Sequence, residues 1–112
     1  MIFVLKNLRS LAIFFIVSQS LWGAIATDVI KSVDRSSSST TITTGAFSTV
    51  SGNELLLAFV ATDYNSGSNT TVTGVTGAGL TWTLVVRTNA QYGTAEIWRA
   101  FAPTPLGSVR CV

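Results

Sequence analysis

The chain contains no histidine and a single cysteine among its 112 residues, and only 11% of these residues are charged. Without histidine, a Ser/His/Asp triad and a Cys/His zinc site cannot be assembled. A disulfide within the chain is excluded because Cys111 has no second thiol to pair with. The sequence therefore predicts no metal site and no cofactor, and few of its groups could serve in catalysis.

Apolar residues are concentrated near the N-terminus. Lys6 and Arg9 precede the apolar run Leu11–Val17, and the small-residue segment Ala24–Ala26 follows. This order is typical of an export signal that signal peptidase removes, so we predict a helical signal peptide over residues 1–26 and a secreted or cell-surface location. Two alternatives remain open: an uncleaved anchor, through which alone the protein would contact a membrane, and a buried helix of the domain itself.

Removal of this segment changes the charge of the protein. The full chain has a formal net charge of +2, and Lys6 and Arg9 leave with the signal, so the remaining chain is neutral. Its five acidic residues balance five basic ones, and the basic residues do not cluster. Nucleic acid is therefore not an expected partner, because no basic patch is left to neutralise a row of phosphates.

Residues 27–112 alternate polar and apolar positions with a period of two, as β-strands do. The nearly unbroken apolar run Leu55–Ala61 is predicted to be the central, doubly buried strand. In Leu80–Thr88 the alternation directs Leu80, Trp82, Leu84 and Val86 to the core. The other predicted strands are Asp28–Val33, Thr40–Thr44, Phe47–Val50, Val72–Thr76 and Thr94–Ala102.

Six or seven short strands separated by Gly, Asn and Ser turns predict an all-β fold, an antiparallel β-sandwich of Ig-like or jelly-roll-like type. Ser108–Val112 alternates like the first half of a strand, so we expect a longer protein whose sandwich is incomplete at this C-terminus. The alternative is a complete short protein with a frayed last strand. In an exported protein Cys111 is expected to be a free thiol, an intermolecular bridge or half of a disulfide with a partner beyond this chain, and both the strand edge and Cys111 are candidate dimer contacts.

Three segments carry a resemblance to a known family: Gly52–Val60, Gly77–Leu84 and Gly93–Ala100. They resemble a β-sandwich module of large secreted bacterial proteins, which occurs beside Ig-like and fibronectin type III-like domains. The resemblance covers about Val29 to Val112, without the last two or three strands of the module. Secretion, a sandwich fold and a multi-domain parent protein are what it implies, and it supplies no catalytic residue.

Aromatic residues are the candidates for ligand binding, because flat rings suit the C–H faces of sugars. Tyr64 and Tyr92 lie in predicted loops, where binding residues are common. Trp98 lies in a strand whose two faces each carry a charge and an aromatic ring. An exposed Trp98 beside Glu96 and Arg99 would form a ligand or partner patch, whereas a buried Trp98 would fill the second layer of the sandwich.

A loop with alternating oxygen-bearing residues superficially resembles a calcium site. Asp63, Asn65 and Asn69 surround Gly67. The glycine stands at the fifth position instead of the sixth, and Gly74 occupies the twelfth position, where a bidentate Glu is needed. We therefore predict an ordinary solvated loop.

Glu54 and Glu96 are the carboxylates that a glycosidase-like reaction would have to use. Glu96 is instead expected to pair with Arg87 or Arg99 on an exposed face. The sequence thus predicts no enzyme but a non-catalytic structural or interaction module, with other protein domains or an extracellular polysaccharide as partners. A carbohydrate-binding module is the first alternative and a glycosidase-like enzyme the second.

Overall fold

The computed structural model describes residues 25–63, 70–90 and 92–112, which contain three strands and no helix. The strands are β1 (Glu54–Thr62), β2 (Thr83–Thr88) and β3 (Thr94–Ala102). They form one open antiparallel sheet in the order β1-β3-β2. The all-β prediction is confirmed. The predicted signal helix lies outside the described residues except for its last two positions, and within the described ranges no helix could span a membrane.

β1 forms where the apolar run predicted a strand, but its place in the sheet differs from the prediction. Asn53 precedes it with a φ of 59° and donates its backbone N–H to the Pro103 carbonyl at 3.3 Å, which closes the turn against the end of β3. The prediction of a central, doubly buried strand is wrong, because β1 lies at the edge and only its even-numbered side chains are half-buried. An apolar run shows that both faces are apolar, but it does not show how many strands flank it.

β3 is the central strand and alternates strictly between its two faces. Thr94, Glu96, Trp98, Ala100 and Ala102 are buried, while the residues between them are exposed or half-buried. The face with the buried residues is called the inner face and the opposite one the outer face. The ambiguity of this strand in the sequence is thus resolved: the face with Glu96 and Trp98 points inward.

A β-bulge divides β2. Leu84 pairs with Trp98, and the next pair is Val86 with Ile97, so Val85 is an extra residue in the ladder. Directly paired residues lie on the same face of a sheet, and Trp98 and Ile97 lie on opposite faces. The prediction of one core face that runs from Leu80 to Val86 is therefore wrong at Val86, which is exposed on the outer face.

A second set of backbone pairs links residues outside the three strands. Phe47 and Val109 exchange two backbone hydrogen bonds of 2.9 Å, and so do Thr76 and Val112. We call the segments 44–49, 106–112 and 76–78 the second ladder. The predicted strand Phe47–Val50 and the predicted C-terminal one are reduced here to isolated bridges, and Val72–Thr76 contains no bridge residue, since the bridge to Cys111 is formed by Gly77.

Asp28–Val33 and Thr40–Thr44 were also predicted as strands, and neither forms one. Residues 25–43 are exposed throughout. β-branched residues favour extended backbone, but a strand also needs a partner for its N–H and C=O groups. A strand pattern by itself does not supply that partner.

The small core lies on the inner face of the sheet. Trp98, Ala100, Ala102 and Leu106 are its buried apolar residues. Leu106 donates its backbone N–H to the buried hydroxyl of Thr49 at 2.9 Å, which joins two segments of the second ladder. The inner face is therefore covered, and the outer face is not covered by any described residue.

Candidate functional site

The outer face of the sheet presents a continuous apolar surface. Leu55, Phe59 and Phe101 are 63%, 72% and 56% exposed. The register places Leu55 beside Phe101, and Ile97 lies between Phe59 and Val86. A shallow open groove of about 380 Å³ lies at the Phe59 end of this surface. Contiguous apolar patches of this kind on a protein surface mark interaction sites.

Arg99 is the only charged residue at the paired positions of the outer face. The register places it between Leu57 of β1 and Thr83 of β2, in the middle of the apolar surface. In the part of the chain that the structure describes, no ion pair or hydrogen bond occupies its side chain. A carboxylate brought to this surface would therefore meet an unpaired guanidinium, whose fork of donors suits bidentate pairing.

The inner face holds a buried carboxylate, Glu96, which is only 3% exposed. The bulge in β2 places Arg87 directly opposite Glu96, and Arg87 donates from Nε to Oε1 at 2.8 Å and from Nη2 to Oε2 at 3.1 Å. The Val72 backbone N–H and the Thr94 hydroxyl donate to Oε1 at 2.9 and 3.0 Å. The indole N–H of Trp98 donates to Oε2 at 2.8 Å.

Burial alone raises the pKa of Glu96, because it disfavours the charged form. The hydrogen bonds from Arg87, Val72, Trp98 and Thr94 have the opposite and larger effect, and they bring the pKa down from 4.5 to about 2. A carboxylate that stays ionised and accepts five hydrogen bonds is not suited to act as a general acid. This cluster instead holds the Val72 segment against the sheet, since Arg87 also donates to the Val72 carbonyl at 2.7 Å.

Of the three predicted ligand-binding residues, Trp98 is 9% exposed and its indole N–H is bonded to Glu96. Its ring belongs to the core, so it does not present a flat face to solvent. Tyr92 lies in the turn before β3 and is 75% exposed. Tyr64 lies outside the described residues. Of the two predicted aromatic residues that the structure describes, Tyr92 alone is therefore exposed to solvent.

The carboxylates Glu54 and Glu96 do not form a pair. Glu54 lies opposite Ala102, and Glu96 lies opposite Val60, so six positions of β1 separate them. At about 3.3 Å per residue this separation is about 20 Å, compared with the roughly 5–10 Å that glycoside hydrolysis needs. Glu96 pairs with Arg87, as one of the two predicted options had it, but this pair lies on the inner face and not on an exposed one.

The described residues contain no cluster of three or more His, Cys, Asp or Glu side chains that could hold a metal ion. Asn65, Gly67 and Asn69 of the calcium-like loop lie outside the described residues. Cys111 is a half-buried free thiol whose pKa is raised by burial. Its backbone N–H donates to the Thr44 hydroxyl at 3.0 Å, so the residue is part of the second ladder.

Comparison with known proteins gives no relative: no family model, no curated protein and no solved structure matches the chain. The resemblance to a secreted bacterial β-sandwich module stays a prediction. Sequence reasoning missed the outer face as a surface, although the signal was present: Leu55, Leu57 and Phe59 share one strand face, and the neighbouring side chains on the other face are apolar too.

Proposed function

We propose that this protein is a non-catalytic β-sandwich module of a secreted or cell-surface protein, and that it holds another polypeptide on the outer face of its sheet. The observation that carries the proposal is the exposed apolar surface around Leu55, Phe59 and Phe101. Burial of apolar side chains is the main driving force of protein association. A sheet that is apolar on both faces gains this stabilisation only when both faces are covered.

The second ladder supports the sandwich part of the proposal. Its segments pair with one another in antiparallel fashion at Phe47–Val109 and Gly77–Cys111. The indole N–H of Trp82 donates to the Gly77 carbonyl at 3.3 Å, and the Val72 backbone binds the side chain of Glu96 on the inner face. Two layers of β structure with the buried side of the sheet between them are the architecture that the proposed sandwich requires.

Arg99 favours a partner of a particular charge. A guanidinium surrounded by apolar side chains loses hydration when another surface covers it, and this loss is offset only if a carboxylate is brought to it. The fitting partner is therefore a polypeptide surface in which apolar residues surround an Asp or Glu. A second copy stacked face to face would instead bring two Arg99 side chains together.

Photo-crosslinking in the cells that produce the protein tests this function. A benzoylphenylalanine at Phe59 should form an adduct of defined mass with another polypeptide, and Arg99→Glu should abolish the adduct by reversing the charge. Arg35→Glu makes the same charge change in the exposed segment before the sheet and should leave the adduct intact. Adduct formation that is indifferent to Arg99→Glu would contradict the proposed docking.

Carbohydrate binding is the second candidate function, and the observation that favours it is the exposed ring of Tyr92. Glycan-array screening of the wild type and of Tyr92→Ala tests it. Retention of a glycan by the wild type, with loss in the variant, is the expected result for a carbohydrate-binding module. Equal retention by both proteins, or none, would count against a role of Tyr92.

A further inference from the structure

The two edges of the sheet differ in their protection against pairing with another strand. The β2 edge has six residues and a bulge at Val85, and its Arg87 binds the neighbouring Val72 segment. The β1 edge has nine residues in unbroken register from Glu54 to Thr62. Between Leu55 and Thr62 it has no charged residue, proline, glycine or bulge. Exposed edge strands normally carry at least one of these devices, because unpaired backbone groups pair with other strands.

The backbone of β1 has one partner strand in the part of the chain that the structure describes, namely β3. Every second residue of an edge strand directs its N–H and C=O groups away from the sheet. Apart from the ladder with β3, the only backbone hydrogen bond next to β1 among the described residues joins Asn53 to Pro103 at the turn before the strand. No described residue therefore occupies the outer edge of β1, and such an edge can accept an extended strand.

From this edge we infer that β1 pairs in antiparallel fashion with β1 of a second copy of the chain. A two-fold axis at Ala58 keeps the outer faces of both copies on one side. This register places Leu57 opposite Phe59 of the second copy and Leu55 opposite Ala61, so apolar side chains meet in every outer-face pair. Glu54 meets Thr62, and no like charges lie opposite each other, which is the arrangement that stabilises a ladder.

The resulting sheet has six strands in the order β2-β3-β1-β1-β3-β2 and a continuous outer face of twice the size. This inference goes beyond the proposed function, because it uses the edge of the sheet and leaves the outer face open. Stacking of two copies through that face is the competing arrangement, and it would cover Arg99, which the register places on the outer face opposite Leu57.

Sedimentation equilibrium of the full chain, under reducing conditions that exclude a Cys111 bridge, tests the inference. The wild type should be a dimer. Leu57→Lys should weaken it by about tenfold or more, because an ammonium group replaces Leu57 opposite Phe59 in two symmetric pairs. Val86→Lys is the matched control. Val86 lies on the same face with similar exposure, 51% against 48% for Leu57, but on the opposite edge strand. The dimer affinity of the Val86→Lys variant should therefore equal that of the wild type.

Ala61→Lys is the second test variant, since Ala61 is small, exposed and opposite Leu55 of the second copy. Circular dichroism confirms the fold of each variant. A monomeric wild type overturns the inference, as does a dimer that resists both Leu57→Lys and Ala61→Lys. Equal weakening by Leu57→Lys and Val86→Lys also overturns it, because this outcome assigns the contact to the outer face. The proposed function is tested separately, by the photo-crosslinking at Phe59.

Discussion

Replacement of Glu96 by Gln tests the role of the buried carboxylate. An amide keeps the shape of the side chain and one oxygen, but its NH₂ group is a donor. If the oxygen stays with Arg87 Nε, Val72 and Thr94, the NH₂ group faces the indole N–H of Trp98 and Arg87 Nη2, which are donors as well. An unsatisfied buried donor costs about 1–3 kcal/mol.

The same change removes the negative charge that neutralises Arg87, whose side chain is 31% exposed. Breaking a buried ion pair by removal of one partner costs about 3–5 kcal/mol in total, and the partial hydration of Arg87 places the expected loss near 3 kcal/mol. Urea unfolding followed by tryptophan fluorescence measures it. Glu54→Gln is the control. It changes a carboxylate at the start of β1 for which no hydrogen bond is found among the described residues. The free energy of unfolding should fall by less than about 0.5 kcal/mol.

The pH dependence gives an independent check on Glu96. Its pKa is about 2 in the folded protein, below the ordinary 4.5, so the unfolded chain takes up the proton first as the pH falls. The stability from Glu96 is complete above the ordinary pKa and is lost between about pH 5 and 2, by at most about 1.4 kcal/mol per pH unit. The difference between wild type and Glu96→Gln should shrink across this window. A difference below about 1 kcal/mol at pH 7, or one that does not change with pH, would refute the reasoning.

Three further changes have expected outcomes. Gly77→Ala should lower the free energy of unfolding by more than about 2 kcal/mol, because φ is +118° and the new Cβ would overlap the Arg110 carbonyl. The control Gly79→Ala, at φ +66° with open space around it, should lower it by about 1 kcal/mol. Equal losses in urea titrations would contradict this expectation. Trp98→Phe keeps an aromatic ring but removes the donor to Glu96, and should cost about 1–2 kcal/mol by the same titration, so an unchanged midpoint would argue against that bond. Phe59→Thr should reduce the fluorescence of the apolar dye ANS while stability stays within about 0.5 kcal/mol, and undiminished fluorescence would mean that the dye binds elsewhere.

The positions of β1 and β3 were predictable because period-two alternation and turn residues agree there. Leu55–Ala61 lies within β1, and Thr94–Ala102 coincides with β3. Asn53 and Gly93, which precede these strands, have positive φ values of 59° and 90°. Local residue chemistry determines such boundaries, since few residues adopt this backbone conformation.

The order of strands and the content of the inner face were not predictable from local pattern. The bulge at Val85 is not marked by a glycine, yet it moves Val86 outward and Arg87 inward. The burial of Glu96 depends on Val72, which is 24 residues away in sequence. The sequence predicts Arg87 as one of two partners of Glu96. The burial of the Arg87–Glu96 pair, in contrast, follows from packing between distant segments.

The central claim is that the outer face is covered in the functional state of the protein. Hydroxyl-radical footprinting, with the oxidised side chains identified by mass spectrometry, measures this directly in the producing cells and on the purified chain. Phe59 and Phe101, both exposed in the structure, should be oxidised in the purified protein and protected in the cells, while the buried Trp98 should be protected in both. Equal oxidation of Phe59 and Phe101 in cells and in purified protein would contradict the account.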